Sequence, residues 1–556
     1  MFRRGFGLGR GLGAVPLYLL PGLNRYDSIL ERSGADKVRG IHMKRKLLEI
    51  VVLMLILVLA AFLRFYNLRA NPGWYSDEGA FVNVATHLLD GRWQYFALQG
   101  SPLLVGRPPL FFVVLAGVFK LFGVDIAILR GLTGIYGLLT IVLLYFVAHD
   151  IWDSTTALLA AAFLAIYPGA VAYSRVGFTY NQLAPLFLLA FYSAWKYGDS
   201  RRPVWGLVAG LAAGLALATD YLGVVAAMAV GLALLQDRRM FLVALALLAL
   251  VPLVVMAPAA ISAPEAFLQD VSYTFARVGP SPAMQLVNVV ILYSELLRRE
   301  MWVAIGLMGL FLLPGRRGRG LALLMTCATL ALFARVFIPL GHHLIPILPF
   351  IALGAASLVK SGAPFVLRLV KDGLESLRLR LPGNGRSGAP NRLFFVGQSV
   401  AASLFSIIFL FSPFLGMLVT SLAEVRYGHV FVYPEEGFSV SADARAVADY
   451  LRAQSAPSDV LLASPQVAWA LPGKAADFQQ ALAYAGHWAY GLPPLGRERF
   501  AFDCSPANAR YVVLDDFWRG WGAQMMPDLR EVMAEVERWP LVLSVGEFRV
   551  YRNPSK

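Results

Sequence analysis

The strongest constraint on the fold is the recurrence of charge-free apolar stretches long enough to cross a bilayer. Met240 to Ile261, for example, runs without a single charged side chain. A hydrocarbon core of about 30 Å asks for roughly 20 helical residues, so such a stretch is a spanning helix rather than part of one soluble core. Apolar segments recur from 47–65 through 394–420, about a dozen in all by hydrophobic run length. The overall balance agrees: 58% hydrophobic, 15% charged and a mean hydropathy of +0.61, against about 25% charged in ordinary soluble domains.

The net charge of +14 raises nucleic acid as a partner, but its placement argues otherwise. Residues 1–46, 196–202, 237–239, 316–319 and 360–392 together carry 25 basic and 7 acidic side chains, a surplus larger than that of the whole chain, so the remainder is net acidic. Basic residues gathered in short stretches between apolar spans follow the positive-inside rule and imply no nucleic-acid partner. These five stretches are assigned to the cytoplasm. Cys327 lies in an apolar span and Cys504 in the C-terminal region, so no disulfide between them is expected.

The spacing predicts three regions. Residues 1–46 form a cytoplasmic tail, with 1–42 expected to be disordered ahead of a signal-anchor-like Met43-Lys44-Arg45-Lys46. Residues 47–421 form an all-α polytopic transmembrane module of about eleven spans plus one re-entrant or half-spanning segment. Residues 440–556 form a small extracytoplasmic α/β domain, with a helix at 442–454, strands at 460–463 and 511–514, a helix near 527–538 and a hairpin turning at Gly546. The half-span is assigned to 109–122, because only an odd number of crossings between Arg107 and Lys196 keeps both the first loop outside and the basic turn at 196–202 inside. Gly206, Gly210 and Gly214 read as a helix-packing stripe, and Asp515-Asp516 as a strand-end turn.

The segment from Arg64 to Arg107 holds the candidate chemistry. It reads Asn71-Pro72-Gly73-Trp74-Tyr75-Ser76-Asp77-Glu78, continues through an amphipathic stretch to Leu89, then Gly91-Arg92-Trp93, and closes on Gly106-Arg107-Pro108-Pro109-Leu110. Its aromatic residues predict a helix lying along the membrane surface. Acidic residues in a helical first turn suit the macrodipole, and the functional alternative is a carboxylate that takes a proton while Arg107 offers a planar fork to phosphate.

The order of these motifs, with Ala172-Tyr173-Ser174-Arg175 and His342-His343-Leu344-Ile345-Pro346-Ile347-Leu348-Pro349 further on, resembles the polyprenyl-phosphate-dependent GT-C glycosyltransferases, in particular the group of protein O-mannosyltransferases and lipid A aminoarabinose transferases. The resemblance covers roughly residues 47–360. It implies that Asp77 is the catalytic base, with Glu78 beside it, and that Arg107 contacts that base or the donor phosphate. Arg277, in the 262–300 stretch expected to form an external loop closing over the donor, is the further phosphate candidate. Asn181 stands where relatives often carry an acid, and Asp220, His342 and His343 are candidate substrate contacts at the same face. Gly106 replaces a glutamate that binds metal in some relatives, which puts a divalent metal in doubt; no metal ligand is assigned.

The implied partners are a polyprenyl-phosphate-linked sugar, an acceptor hydroxyl on a glycan, lipid or protein, and the bilayer of the cell membrane; the implied reaction is an inverting transfer. A lipid or lipid-linked-glycan flippase and a catalytically inactive glycan-lipid-binding scaffold are the alternatives. Transporters usually carry ionisable groups near the bilayer midplane, and here the charges cluster at one face. A cysteine introduced at Asp199 is expected to stay unlabelled by an impermeant thiol reagent added outside intact cells; external labelling would reverse the topology.

Overall fold

The computed structural model describes residues 23–100, 107–277, 281–298, 300–333, 340–378, 412–428 and 437–556. Helix α1 (Leu23–Phe65) continues upstream of the apolar stretch: no proline interrupts Leu23 to Phe65, so residues 23–42 are helical where a disordered tail is expected. Within it, Met43–Phe65 is long and apolar enough to span.

The rest of the helical module follows from apolar runs punctuated by capping carboxylates. The Asp125 side chain accepts from the Ala127 amide at 2.6 Å to start α4 (Ile126–Ile151), Asp153 accepts from Thr156 at 3.1 Å to start α5 (Ser154–Ile166), and Asp237 accepts from Met240 at 3.1 Å to start α10 (Arg238–Ser262). Each cap satisfies a helical N–H that has no partner within its own helix. Between α5 and α10 lie α6 (Pro168–Ser174), α7 (Tyr180–Ser200), α8 (Pro203–Thr219) and α9 (Val224–Leu234). Helices α11 (Pro264–Arg277), α12 (Pro282–Arg298), α13 (Met301–Leu310), α14 (Arg316–Phe333) and α15 (Leu348–Arg378) complete the series, followed by residues 412–427 as α16.

Among the described residues four helices are long and apolar enough to cross a membrane, or five if the bent pair α5–α6 counts as one, and five further apolar helices are shorter. Helix α3 (Leu110–Phe122) has 13 residues, about 20 Å at 1.5 Å per residue and so short of the hydrocarbon thickness. The α5–α6 pair bends by 58°, and Arg64 braces the bend by donating to the Leu164 and Ala165 carbonyls at 3.0 Å each. A broken helix inside protein needs such donors for its freed carbonyls. The expected external loop at 262–300 is instead largely α11 and α12; its apolar positions recur at helical spacing. The glycine stripe of α8 does pack: Gly210 and Gly214 approach the backbone of α10 so closely that a Cβ would sit 2.9 Å from Ala244 Cα and from the Leu247 carbonyl oxygen, respectively. Of the apolar segment read at 394–420, residues 394–411 lie outside the described residues.

The C-terminal region carries a five-stranded sheet: β5 (Val460–Leu462), β6 (Lys474–Ala476), β7 (Tyr511–Leu514), β8 (Leu541–Val545) and β9 (Phe548–Arg552), in the order β6-β5-β7-β9-β8. β5 pairs parallel with β6 and β7, and β9 pairs antiparallel with β7 and β8. Val512, Val513, Leu514, Phe548, Val550 and Trp518 are buried there, with helix α17 (Ser441–Gln454) packed alongside. Four short strands lie outside this sheet, three in the first loop and one that pairs with it: β1 (Trp74–Tyr75) pairs with β4 (Phe438–Ser439), while β2 (Gln94–Tyr95) and β3 (Leu98–Gln99) form a hairpin.

That hairpin is seated in the C-terminal domain. The Tyr95 hydroxyl donates to Asp477 at 2.6 Å, Gln480 exchanges hydrogen bonds with the Ala97 amide and the Tyr95 carbonyl at 2.9 and 2.8 Å, and the Ala501 amide donates to the Ala97 carbonyl at 2.7 Å. Helix α2 (Ser76–Leu89), expected along the membrane surface, is largely buried instead. Its Gly79 lies against α18 (Pro465–Ala468), where a Cβ would come within 1.9 Å of the Pro465 carbonyl oxygen. The apolar face that a surface helix would offer to lipid is covered by protein.

Two buried carboxyls sit inside this domain. Burial pushes Asp477 up to about 6 and Asp515 up to about 7, against the hydrogen bonds that Tyr95 and Ser464 donate to them. In the unfolded chain both ionise near 3.8. The fold therefore holds protons that the open chain has lost between these values, and stability falls as pH rises through that window. Thermal unfolding of the purified protein should show the Tm contribution of this domain declining from pH 5 to pH 8, with a smaller decline in Asp515→Asn; identical slopes would refute the assignment.

Candidate active site

Asp77 and Glu78 are neighbours in the first turn of α2, and the helix sends them apart. Glu78 is fully buried. Arg130, in the second turn of α4, grips it with both nitrogens, Nη2 to Oε2 at 2.6 Å and Nε to Oε1 at 2.8 Å. The Gly177 amide adds a third donor at 2.8 Å. Gly177 is required by this approach, since a Cβ would lie 2.5 Å from the Leu129 side chain and 3.1 Å from Glu78 Cγ. Arg130 also donates to the carbonyls of Leu68 at 2.8 Å and Asn71 at 3.4 Å, and to that of Gly73. A bidentate guanidinium–carboxylate pair with its remaining donors satisfied is the arrangement in which buried ions are tolerated.

Asp77 is half-buried, and its charge is felt by Arg107, Tyr95 and Tyr180. Arg107 lies just ahead of α3. Its Nη1 donates to Asp220 at 2.8 Å and to the Thr179 hydroxyl at 3.0 Å, and its guanidinium stands over the Tyr180 ring at 4.7 Å. Burial disfavours this cation, yet Tyr180, Asp220 and Asp77 together hold its pKa above the ordinary value. Burial, reinforced by Asp477 and then Asp77, likewise holds the Tyr95 phenol protonated well past its usual range. Asp220 also caps the short turn after α8 by accepting from the Leu222 amide at 3.0 Å.

His342 and His343 complete the cluster from the turn preceding α15. His342 stacks on Phe178 at 4.1 Å and 13°, and His343 meets the Tyr180 ring edge-on at 5.3 Å. Both are buried and feel the charge of Arg107. His343 Nδ1 accepts from the Leu340 amide at 2.9 Å, while buried His342 Nδ1 has no hydrogen-bond partner among the described residues.

The structure thus brings Asp77, Arg107, Asp220, His342 and His343 to one place, from α2, the turn before α3, the end of α8 and the turn before α15. The Asn181 side-chain amide donates to the Tyr173, Val176 and Phe178 carbonyls at 3.0, 3.3 and 3.1 Å, holding the turn between α6 and α7. Arg277 ends α11, and its side chain lies outside the described residues. Among the described residues no three His, Cys, Asp or Glu side chains converge as a metal-ligand set.

Three participants escape a reading of the sequence. Tyr180 and Thr179 look like ordinary helix-start residues. Glu300, fully enclosed and accepting a hydrogen bond from Tyr167, lies against Gly341 beside His342, although it reads as the end of a loop. Arg130 did carry a signal: a lone arginine in an apolar span needs a partner.

Residues 106–261 match the family model of the dolichyl-phosphate-mannose-protein mannosyltransferases. The fold is similar to the crystal structure of ArnT from Cupriavidus metallidurans bound to undecaprenyl phosphate, at 17% identity and a TM-score of 0.54 over 91% of this chain and 98% of that one. The chain has the fold of the GT-C glycosyltransferases. Another solved GT-C fold, the Archaeoglobus fulgidus oligosaccharyltransferase in complex with Zn and sulfate, is 14% identical with a TM-score of 0.51, covering 85% of this chain and 68% of that one. An uncharacterized protein of Aquifex aeolicus is 27% identical over 167 residues; the match spans 30% of this chain and only 34% of that relative's length. The spanning-length apolar helices among the described residues support a multi-pass membrane location. The matched region contains Arg107, Thr179, Tyr180 and Asp220 but neither Asp77 nor the histidines.

Removing one partner from the Glu78–Arg130 pair strands the other charge in a dry site, which costs roughly 3–5 kcal/mol. Arg130→Ala and Glu78→Gln are both expected to lower the Tm sharply and to broaden the size-exclusion profile. A variant with wild-type Tm would show that the pair is dispensable.

Proposed function

We propose that the chain transfers a sugar from a polyprenyl-phosphate-linked donor to an acceptor hydroxyl, with inversion, at the extracytoplasmic face of the cell membrane. The match of residues 106–261 to the dolichyl-phosphate-mannose-protein mannosyltransferase model and the GT-C fold support a membrane glycosyltransferase with a lipid-linked donor. The observation that carries the finer reading is the pairing of half-buried Asp77 with Arg107, a carboxylate and a guanidinium in one electrostatic neighbourhood, flanked by Asp220 and the two histidines. Anionic nucleotide sugars stay in the cytoplasm, whereas a lipid carrier can present its sugar to an outward-facing site.

In this mechanism the acceptor hydroxyl hydrogen-bonds to Asp77. As its oxygen attacks the anomeric carbon from the face opposite the phosphate, the proton passes to the Asp77 carboxylate. The bond from the anomeric carbon to the phosphate oxygen breaks, and its electron pair leaves with the polyprenyl phosphate, so configuration inverts. Arg107 faces the negative charge that grows on the leaving oxygen, and Asp220 with Thr179 fixes the guanidinium so that little reorganisation is needed at that moment. His342, stacked on Phe178, adds to the same cluster a buried ring nitrogen with no hydrogen-bond partner among the described residues. Glu78 takes no step here; it holds α2, and therefore Asp77, in place.

A positioned base contributes about 10²- to 10⁴-fold. Asp77→Asn should lower transfer from a polyprenyl-phosphate sugar in membranes by that order while leaving the Tm unchanged, and full activity in this variant would reject the mechanism. Arg107→Ala should lower kcat, with Arg107→Lys restoring part of it, because the charge survives the exchange while the fork that reaches Asp220 and Thr179 does not.

A further inference from the structure

Three basic stretches that are separate in the sequence come together at one end of the helical module. The turn between α7 and α8 brings Arg201 and Arg202, the start of α10 brings Arg238 and Arg239, and the start of α14 brings Arg316 and Arg317. Contacts between these turns fix the gathering. The Tyr197 hydroxyl donates to Asp237, which ties the approach to α10 to the end of α7. The Arg317 guanidinium occupies the space that a Cβ on Gly198 would need. The Trp152 indole donates to the Pro314 carbonyl at 2.8 Å, drawing the turn before α14 to the end of α4. Helix α7 starts at Tyr180, beside Arg107, and has 21 residues, about 31 Å at 1.5 Å per residue. The arginines therefore lie about one hydrocarbon thickness away from the Arg107 cluster.

The charges at this end do not balance. Lys196 takes Asp150 at 2.6 Å, and Lys360 takes Asp153. Asp237 is engaged by Tyr197 and by the Met240 amide at 3.1 Å. Asp199 is the carboxylate left in these turns, against six exposed arginines. Among the described residues no ion pair joins any of the six to a carboxylate. Burial and then the charge of Arg201 draw the Arg317 pKa down, and the opposing pull of Asp199 does not restore it. The positive-inside rule accounts for basic residues in such turns, but it does not require three turns to converge. Like charges held together in this way are stabilised by an anion.

The surroundings select the kind of anion. Exposed apolar side chains continue from the arginines along the bundle: Val204 and Leu207 on α8, Leu235 three residues before Arg238, and Phe311 five residues before Arg316. Tyr192 meets the Trp205 ring edge-on at 5.4 Å, and paired aromatics of this type sit where headgroups meet hydrocarbon. A free phosphate or an acidic polymer would use the arginines and leave the apolar belt bare. A lipid with an anionic phosphodiester headgroup and two acyl chains uses both.

We propose that the six arginines form a binding surface for an anionic phospholipid, which places its phosphodiester between the turn after α7 and the start of α14, in the leaflet opposite the Arg107 cluster. Basic pockets between membrane helices hold such headgroups by charge. The test uses the full chain purified in dodecylmaltoside and native mass spectrometry, with dioctanoylphosphatidylglycerol, dioctanoylphosphatidylcholine and inorganic phosphate as probes. The phosphatidylglycerol should bind saturably, at least about tenfold more tightly than the phosphatidylcholine. Each arginine removed should cost roughly fivefold in affinity, so Arg201→Gln with Arg317→Gln should weaken binding by about twentyfold or more. Arg202→Gln with Arg239→Gln should weaken it similarly, and this pair leaves the packing on Gly198 untouched. Lys44→Gln with Arg45→Gln removes the same charge from α1, outside the three turns, and should leave affinity unchanged. Equal affinity for the two lipids, or unchanged affinity in both arginine double variants, overturns the surface. An equal loss in the α1 variant would reduce the effect to overall charge and overturn it too. Displacement of the phosphatidylglycerol by an equimolar amount of inorganic phosphate would overturn the lipid as the occupant.

Discussion

The fully buried Glu78–Arg130 pair is the interaction on which the rest of this structure depends. It joins the first turn of the loop helix to a membrane helix, and through the same guanidinium it collects the carbonyls of Leu68, Asn71 and Gly73. An irregular backbone segment emerging from one helix and entering another has many polar groups to satisfy, and one arginine satisfies several of them at once. The low polarity of the site makes the pair intolerant of being halved, and this intolerance fixes the register of everything from Leu68 to the start of α2. Asp77 inherits its position from that register.

A second attachment completes the frame. The hairpin at Gln94–Gln99 is sewn into the C-terminal domain through Tyr95, Ala97, Asp477 and Gln480, and β1 pairs with β4. The loop that bears the candidate base is therefore held from the membrane side by an ion pair and from the domain side by hydrogen bonds to Asp477, Gln480 and β4. Hydrogen bonds of this kind carry direction, and they orient the loop where apolar packing alone would only confine it. The Arg107–Asp220–Thr179 constellation then requires no special folding device beyond the ends of α7 and α8, because each member sits at a helix boundary where polar groups are already in demand.

Much of this arrangement was legible beforehand, and the rest was hidden for identifiable reasons. Apolar run length and the placement of basic residues disclose the membrane module, and the strand at Tyr511–Leu514 is a short β-branched run with the expected boundaries. The division of labour between Asp77 and Glu78 was not legible, because it is set by Arg130, 52 residues along the chain. Asn181 stands as a substrate candidate on its family position, where relatives often carry an acid; that position does not disclose that its amide staples three carbonyls of its own loop. Strand β6, Lys474–Ala476, has no alternating pattern to betray it and forms only because β5 lies beside it. The surface placement of α2 failed for a related reason: amphipathicity reports that a face is covered, and does not say whether lipid or a domain from more than 300 residues later covers it.

The near-contact of Gly79 with the Pro465 carbonyl has a consequence for how such a molecule can work. With no room for even a methyl group between the loop helix and the C-terminal domain, the two move as one body or separate altogether. A helix so closely seated does not act as a flap. In the proposed transfer, entry and exit then fall to the substrates and to the elements around the loop helix, and the Asp77 carboxylate serves as a fixed post whose place is the same at the beginning and the end of each cycle.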